Sequence, residues 1–192
     1  MIKIAPTQAI YDGLAKRLDA LGKGGEMDKV MAVAINEVAS KQKAELYKKT
    51  KAKYTITAAV FRKRDIRKKS ASQKNLRAGL RVSGPRIGIK EGYESVGNVG
   101  VESAAAKIKT GNPMKSLEME ANGRIYKAFE ATMKSGHKGI FRRNPKKKMR
   151  KKPNREAIEE LTSLSRSKAA EMAYREDMPK DVEHDLNYSM LK

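Results

Sequence analysis

Two dense runs of cations carry the strongest chemical signal in the sequence. Arg62, Lys63, Arg64, Arg67, Lys68 and Lys69 fill six of the eight positions from 62 to 69, interrupted by Asp65 and Ile66. Arg142, Arg143, Lys146, Lys147, Lys148, Arg150, Lys151 and Lys152 fill eight of the eleven positions from 142 to 152. Such side chains neutralise phosphates and hold a duplex without reading its base sequence. They suit an acidic protein surface or a solvated loop equally well. Few aromatic residues interleave with either run, which argues against a stacking platform for single strands. No zinc finger, basic zipper or helix-turn-helix signature accompanies them, so any DNA contact should be non-specific and strongly salt-dependent.

The other reactive residue types are sparse. His137 stands between Gly136 and Gly139. In a turn it is either a proton carrier or, more simply, a residue chosen for local hydrogen bonding or an interface contact. His184, flanked by Glu183 and Asp185, belongs on a helix surface. No Ser-His-Asp order or spaced carboxylate pair suggests catalysis, so no enzyme activity is expected. Glu159-Glu160 and Glu183/Asp185 are acidic pairs, better explained as solvated helix faces than as a magnesium site. Neither a phosphate-binding Gly-x-x-x-x-Gly-Lys-Ser/Thr nor a Gly-x-Gly-x-x-Gly turn is present. The absence of Cys excludes disulfides, thiolate zinc sites and Cys nucleophiles. No metal or cofactor is expected.

Overall the 192 residues hold 43 Lys plus Arg against 22 Asp plus Glu, a formal charge of +21. Self-repulsion on this scale destabilises a compact monomer, so a polyanion or an acidic protein neighbour is the expected companion. The charge is uneven: Ala157 to Lys192 carries eight acidic and five basic residues, so the excess lies in the preceding chain. The core must be modest, because only 39% of residues are hydrophobic and 5% aromatic. No apolar run reaches the roughly 18 residues of a membrane-spanning helix, and Met1-Ile2-Lys3-Ile4-Ala5-Pro6 lacks the apolar stretch of a secretory signal.

The elements that position these residues follow from periodicity. Ile10, Leu14, Leu18 and Leu21 predict a helix from about Thr7 to Leu21, ended by Gly22, Gly24 and Gly25. Met27, Val30, Met31, Ala34, Ile35, Val38, Ala39 and Leu46 predict a longer one from about Glu26 to Tyr47. Thr57 suits the N-cap of a short third helix through about Arg67. Leu76, Ala78, Leu80 and Val82 alternate with polar residues and predict a strand, returned through Ser83-Gly84-Pro85 by Arg86–Lys90. Weaker strands are expected at Tyr93–Val96 and Val99–Glu102, then a loop from Ala104 to Gly123. Tyr126–Met133 and Ile140–Arg143 predict a hairpin turning at Ser135–Gly139. The basic stretch then forms an extended loop. Ile158 and Leu161 can continue a strand, a helix starts near Ser165 or Ser167, and Asp177-Met178-Pro179 restarts the helical pattern through Val182, Leu186 and Met190.

Three segments together resemble the minor tail protein Z family of long-tailed bacteriophages, the lambda-type tail completion proteins. Ala34-Ile35-Asn36-Glu37-Val38-Ala39-Ser40 looks like the family's Ala-Ile-Asn-x-Val-Ala pattern. Phe129 to Arg143, with Gly136-His137-Lys138-Gly139 at its turn, is similar to the family hairpin. Met178-Pro179-Lys180-Asp181 followed by Leu186 resembles the closing Leu-Pro-Lys-Glu helix start. The likeness covers roughly residues 27–192. The family's Pro-Ile-x-x-Leu-Tyr-Gly-Pro-Ser segment has no close counterpart, since Glu156 to Ser165 contains neither Gly nor Pro.

The resemblance implies an α+β protein with long N-terminal helices, central antiparallel strands and hairpins, and C-terminal helices. Length and the residue patterns place one domain over 1–192, with a helical part at about 7–67, a β-rich part at about 75–143, a basic loop at 142–154 and a helical part at about 165–192. The resemblance further implies a structural protein of the virion, assembled in the host cytoplasm, that completes the head-proximal end of the tail. Expected partners are other copies in a hexameric ring, tail terminator or tube proteins, head-tail connector proteins and the phage DNA end. Phe129, Gly136, His137, Gly139 and Phe141 become the assembly hairpin. Six copies would carry about +126, whereas duplex DNA crossing a ring about 40 Å thick presents roughly 24 phosphates. Some basic segments would therefore face DNA and others acidic neck or tail proteins. A free-standing, non-specific duplex-binding module is the alternative.

Overall fold

The computed structural model describes residues 2–5, 8–20, 26–98, 100–144 and 158–178. They form helices and antiparallel strands in two compact units. The first draws on Met1–Thr50, Arg62–Gly84 and Arg166–Lys192, the second on Lys51–Phe61 and Pro85–Ser165. Among the described residues no helix is long and apolar enough to cross a membrane.

In the first unit, α1 covers Gln8–Ala20 and α2, Met27–Lys53, contributes its residues up to Thr50. The second helix outruns its expected end because its buried stripe continues from Ile35, Val38, Ala39 and Gln42 through Leu46 to Thr50. Thr50 is tolerated there because its hydroxyl donates back to the Leu46 carbonyl at 2.6 Å. Lys51 and Lys53 then occupy the last turn, where cations meet the negative end of the helix dipole.

The sheet of this unit has the order β1-β3-β2, with β1 at Ile2–Ile4, β2 at Ile66–Lys69 and β3 at Ala78–Val82. Two expectations fail here. The third helix does not form: residues 58–60 turn, Lys63–Asp65 make one 3-10 turn, and Ile66–Lys69 is a strand. Asp65 closes that turn by accepting the Arg62 N–H at 2.7 Å, and Ile66 is then buried opposite Val82. Nor does β3 fold back on Arg86–Lys90, since its two sides are taken by β1 and β2. Helix α4, Arg166–Asp177, completes the described part and buries Ala169, Ala170 and Ala173. The predicted restart at Asp177-Met178-Pro179 falls largely outside the described residues.

The second unit is built of short strands. β4 (Arg86–Gly88) pairs with β13 (Thr162–Ser165), and α3 (Ile89–Gly92) follows β4. β5 (Glu94–Val96), β6 (Ala105–Lys107) and β7 (Lys115–Ser116) form one sheet. β8 (Met119–Ala121) and β9 (Arg124–Tyr126) form a hairpin. β10 (Ala128–Thr132), β11 (Lys138–Arg143) and β12 (Ile158–Glu160) form another sheet, with β11 central. The expected strand at 99–102 is absent, because residues 100–102 turn and bend. The interval 104–123, expected as a loop, instead supplies three strands. Its core residues are small: Ala104, Ala106 and Ala128 pack with Ile89 and Ile140, and Ile108, Leu117 and Leu161 flank them. Alanine gives no strong alternating signal, yet it lets short strands approach closely.

Candidate functional site

The register of β2 against β3 decides what the first basic run presents. Directly opposed residues of an antiparallel pair share a face. Ile66 lies opposite Val82 and Lys68 opposite Leu80, so these four share the side that buries Ile66 and Leu80. Arg67 lies opposite Arg81, and Lys69 follows Arg67 on the other side. The side chains of Arg67, Lys69 and Arg81 are exposed and make no hydrogen bond or ion pair among the described residues. Arg81, which the sequence reading did not single out, therefore joins the cationic surface. A like-charged pair in direct cross-strand register is unfavourable by itself. An anionic partner would relieve it.

Lys68 has a different task. Its ammonium donates to Ser40 Oγ at 2.8 Å and to the Asn36 carbonyl at 3.4 Å, tying β2 to α2. Asn36 also grips the chain beyond β2, donating to the Ala71 carbonyl at 3.0 Å and accepting the Ala71 N–H at 2.8 Å. The polar residue of the Ala-Ile-Asn segment thus holds the following loop as a strand neighbour would. Arg62, Lys63 and Arg64 are exposed on the 3-10 turn.

The second run divides. Arg142 is largely buried: it donates to the Leu117 carbonyl at 3.3 Å and lies 3.7 Å from Glu159. It serves the fold rather than a partner. Arg143 is exposed at the end of β11. Lys146, Lys147, Lys148, Arg150, Lys151 and Lys152 lie outside the described residues, as does His184. Glu159 and Glu160 sit on a strand and not on a solvated helix face. Alternation sends Glu159 to Arg142 and Asn144, and Glu160 to His137.

The hairpin brings its candidate residues together. Met133 and Gly136 close the turn, the Gly136 N–H donating to the Met133 carbonyl at 2.9 Å and the Met133 N–H to the His137 carbonyl at 2.7 Å. Gly136 has φ +81°, a left-handed conformation that glycine adopts without strain. Phe129 lies opposite Phe141, and the His137 ring stands edge-on to Phe141 at 6.4 Å. A Cβ on Gly139 would come within 2.9 Å of the Phe141 ring and 3.2 Å of Glu160 Oε1, so glycine makes room for both.

His137 is pinned from two sides. Nε2 is 3.0 Å from Glu160 Oε1, and Nδ1 is 3.3 Å from Glu91 Oε1. A neutral imidazole donates from only one nitrogen, so the two carboxylates together call for the imidazolium. The hydrogen bond and then the charge of Glu160 raise its pKa, outweighing an opposing desolvation, and the charge of Glu91 adds a smaller rise. The carboxylates lie on opposite sides of the ring, an arrangement that clamps a cation and leaves no substrate-facing nitrogen. Because the folded pKa is raised, the clamp stabilises fully below the ordinary value of 6.5 and is lost as pH rises through the raised one. Thermal unfolding should therefore shift to lower temperature over that rise in the parent chain and stay flatter in His137→Gln. Equal pH slopes in the two would remove His137 as the titrating group.

A half-open cleft of about 510 Å³ gathers Phe129 and Arg143 with Arg124, Ile125, Tyr126 and Lys127. Tyr126 and Lys127 lie within the expected hairpin without having been singled out as site residues, and Arg124 and Ile125 lie in neither the charge runs nor the hairpin. Among the described residues, no group of three or more acidic, His or Cys side chains is placed to hold a metal ion. No family model, no curated protein and no solved structure matches the chain.

Proposed function

We propose that the chain is a structural subunit that completes the head-proximal end of a long bacteriophage tail and helps join it to the capsid. The reading takes its direction from the three resembling segments. The observation that supports it most is the face formed by Arg67, Lys69 and Arg81, in which Arg67 and Arg81 lie in direct register and the like charges want an anionic neighbour. In this reading long N-terminal helices, central antiparallel strands and C-terminal helices make a virion subunit of a ring, with a hexamer as the inherited number. Neighbours in a closed ring would cover sheet edges such as β2, β10 and β12. Tail terminator or tube proteins, connector proteins and the DNA end are its partners.

Particles assembled without the chain should accumulate as separate heads and tails, and adding it back should restore joining. An antibody to it should decorate the head-proximal tail end in electron micrographs. Normal joining in its absence, with no label on finished particles, would overturn the reading. The second reading, a non-specific duplex-binding module, rests on the same cationic face. Tight, steeply salt-dependent duplex binding without any association with tails would favour it.

A further inference from the structure

Folding assembles in the second unit what neither basic run contains: rings and cations in one place. Tyr126 and Phe129, both partly buried, line the cleft with Arg124, Lys127 and Arg143, and Ile125 adds an exposed apolar surface. No carboxylate is among the lining residues. The Lys127 ammonium is held by the Val101 carbonyl at 2.6 Å, which fixes one cation at the border. Arg124 is exposed on β9 next to the Asn122-Gly123 turn.

A ligand for this lining must be anionic and must offer a flat apolar face. A duplex supplies phosphates but keeps the faces of its bases inside the stack. An acidic peptide supplies carboxylates with no planar surface beside each charge. An unpaired nucleotide supplies both a π-face and a phosphate in every repeat, the combination that aromatic and basic grooves recognise. We propose that this cleft binds unpaired nucleic acid, with a base stacked on Tyr126 or Phe129 and the flanking phosphates neutralised by Arg124 and Arg143. The inference does not rest on the assembly role: none of its residues belongs to the β2–β3 face, although Phe129 is also part of the expected assembly hairpin. It also revises the expectation that the chain lacks a stacking platform: the aromatic partners come from β9 and β10, outside the basic runs.

The test uses the full chain and a short fluorescein-labelled oligothymidylate, with fluorescence anisotropy read across a salt series. Tyr126→Ala should weaken binding about tenfold with little change in salt slope, and Tyr126→Phe should retain it. Arg124→Gln, at an exposed position, should lower the slope by about 0.7, the value for one phosphate on a single strand. Binding of the matching duplex should be unchanged in Tyr126→Ala. Oligothymidylate binding that is indifferent to both Tyr126→Ala and Arg124→Gln overturns the proposal. So does equal loss of single-strand and duplex binding, or displacement by poly-glutamate more readily than by unlabelled oligothymidylate. Joining of heads to tails is read separately, so failure there leaves this result standing.

Discussion

Under the tail-completion role proposed above, replacing Arg67, Lys69 and Arg81 together by glutamine is expected to abolish productive joining of heads to tails while making the isolated chain slightly more stable. The two effects have opposite signs for one reason. Arg67 and Arg81 oppose each other across β2 and β3, Lys69 lies two residues along the same face, and all three are exposed. Removing directly opposed like charges relieves about 0.2–1 kcal/mol of cross-strand repulsion. If the face binds phosphates, removing its three cations should lower the salt slope of duplex binding by roughly 2.7, at about 0.9 per contact. If the face meets an acidic protein instead, duplex binding will hardly move while joining still fails. Urea unfolding, duplex binding in a salt series and a joining assay together separate these outcomes. A variant that unfolds more easily, or that joins particles normally, would show that the face is neither strained nor used.

Gly92→Ala should be among the most destabilising single-methyl changes in the second unit. Gly92 is buried at the end of α3, and its carbonyl accepts the Thr57 N–H at 2.9 Å. An added Cβ would stand 1.8 Å from Cγ2 of Ile87, itself only 4% exposed. One of them must move, and Ile87 is held by β4, which is paired with β13. Overpacking of this kind costs about 1–3 kcal/mol, and a rigid neighbour pushes it to the upper end. The clash has a single partner, so Ile87→Ala should absorb part of the penalty. Its own cavity costs about 2–5 kcal/mol, but the double variant should be more stable than the sum of the singles predicts. Strict additivity in denaturant unfolding would mean that Gly92 is required for another reason.

What the sequence disclosed, and what it withheld, follows the distance over which each element is specified. α1, α2 and α4 were legible because a helix writes its buried face into residues three and four apart. The β10–β11 hairpin was legible because its partners are neighbours and Gly136 marks the turn. β2 was misread as helix because Ile66 and its cations fit either period, and the partner that decides, β3, lies beyond an intervening loop. β4 was sent to the wrong partner for the same reason, its true one being β13. β6 and β8 were hidden by alanine and β7 by its two-residue length, although Asn122-Gly123, both at positive φ, is a strong hairpin turn that the charge pattern overshadowed. At the candidate site, Arg67 and Lys69 were visible as charge, whereas Arg81 needed the register. Arg142 looked like its neighbours in the run, and only burial against Leu117 and Glu159 sets it apart.

The interleaving of the two units has a consequence for biosynthesis. β11 needs β12, β4 needs β13, and β3 is contacted by α4, so neither unit is complete until residues 158–177 have left the ribosome. A nascent chain at that stage would carry unpaired strand edges and bare apolar surface, the form most prone to stick to others. Pairings so far apart along the chain also slow closure. Supply of the folded protein would then be paced by late closure and chaperone protection of the unfinished polypeptide, not by translation alone.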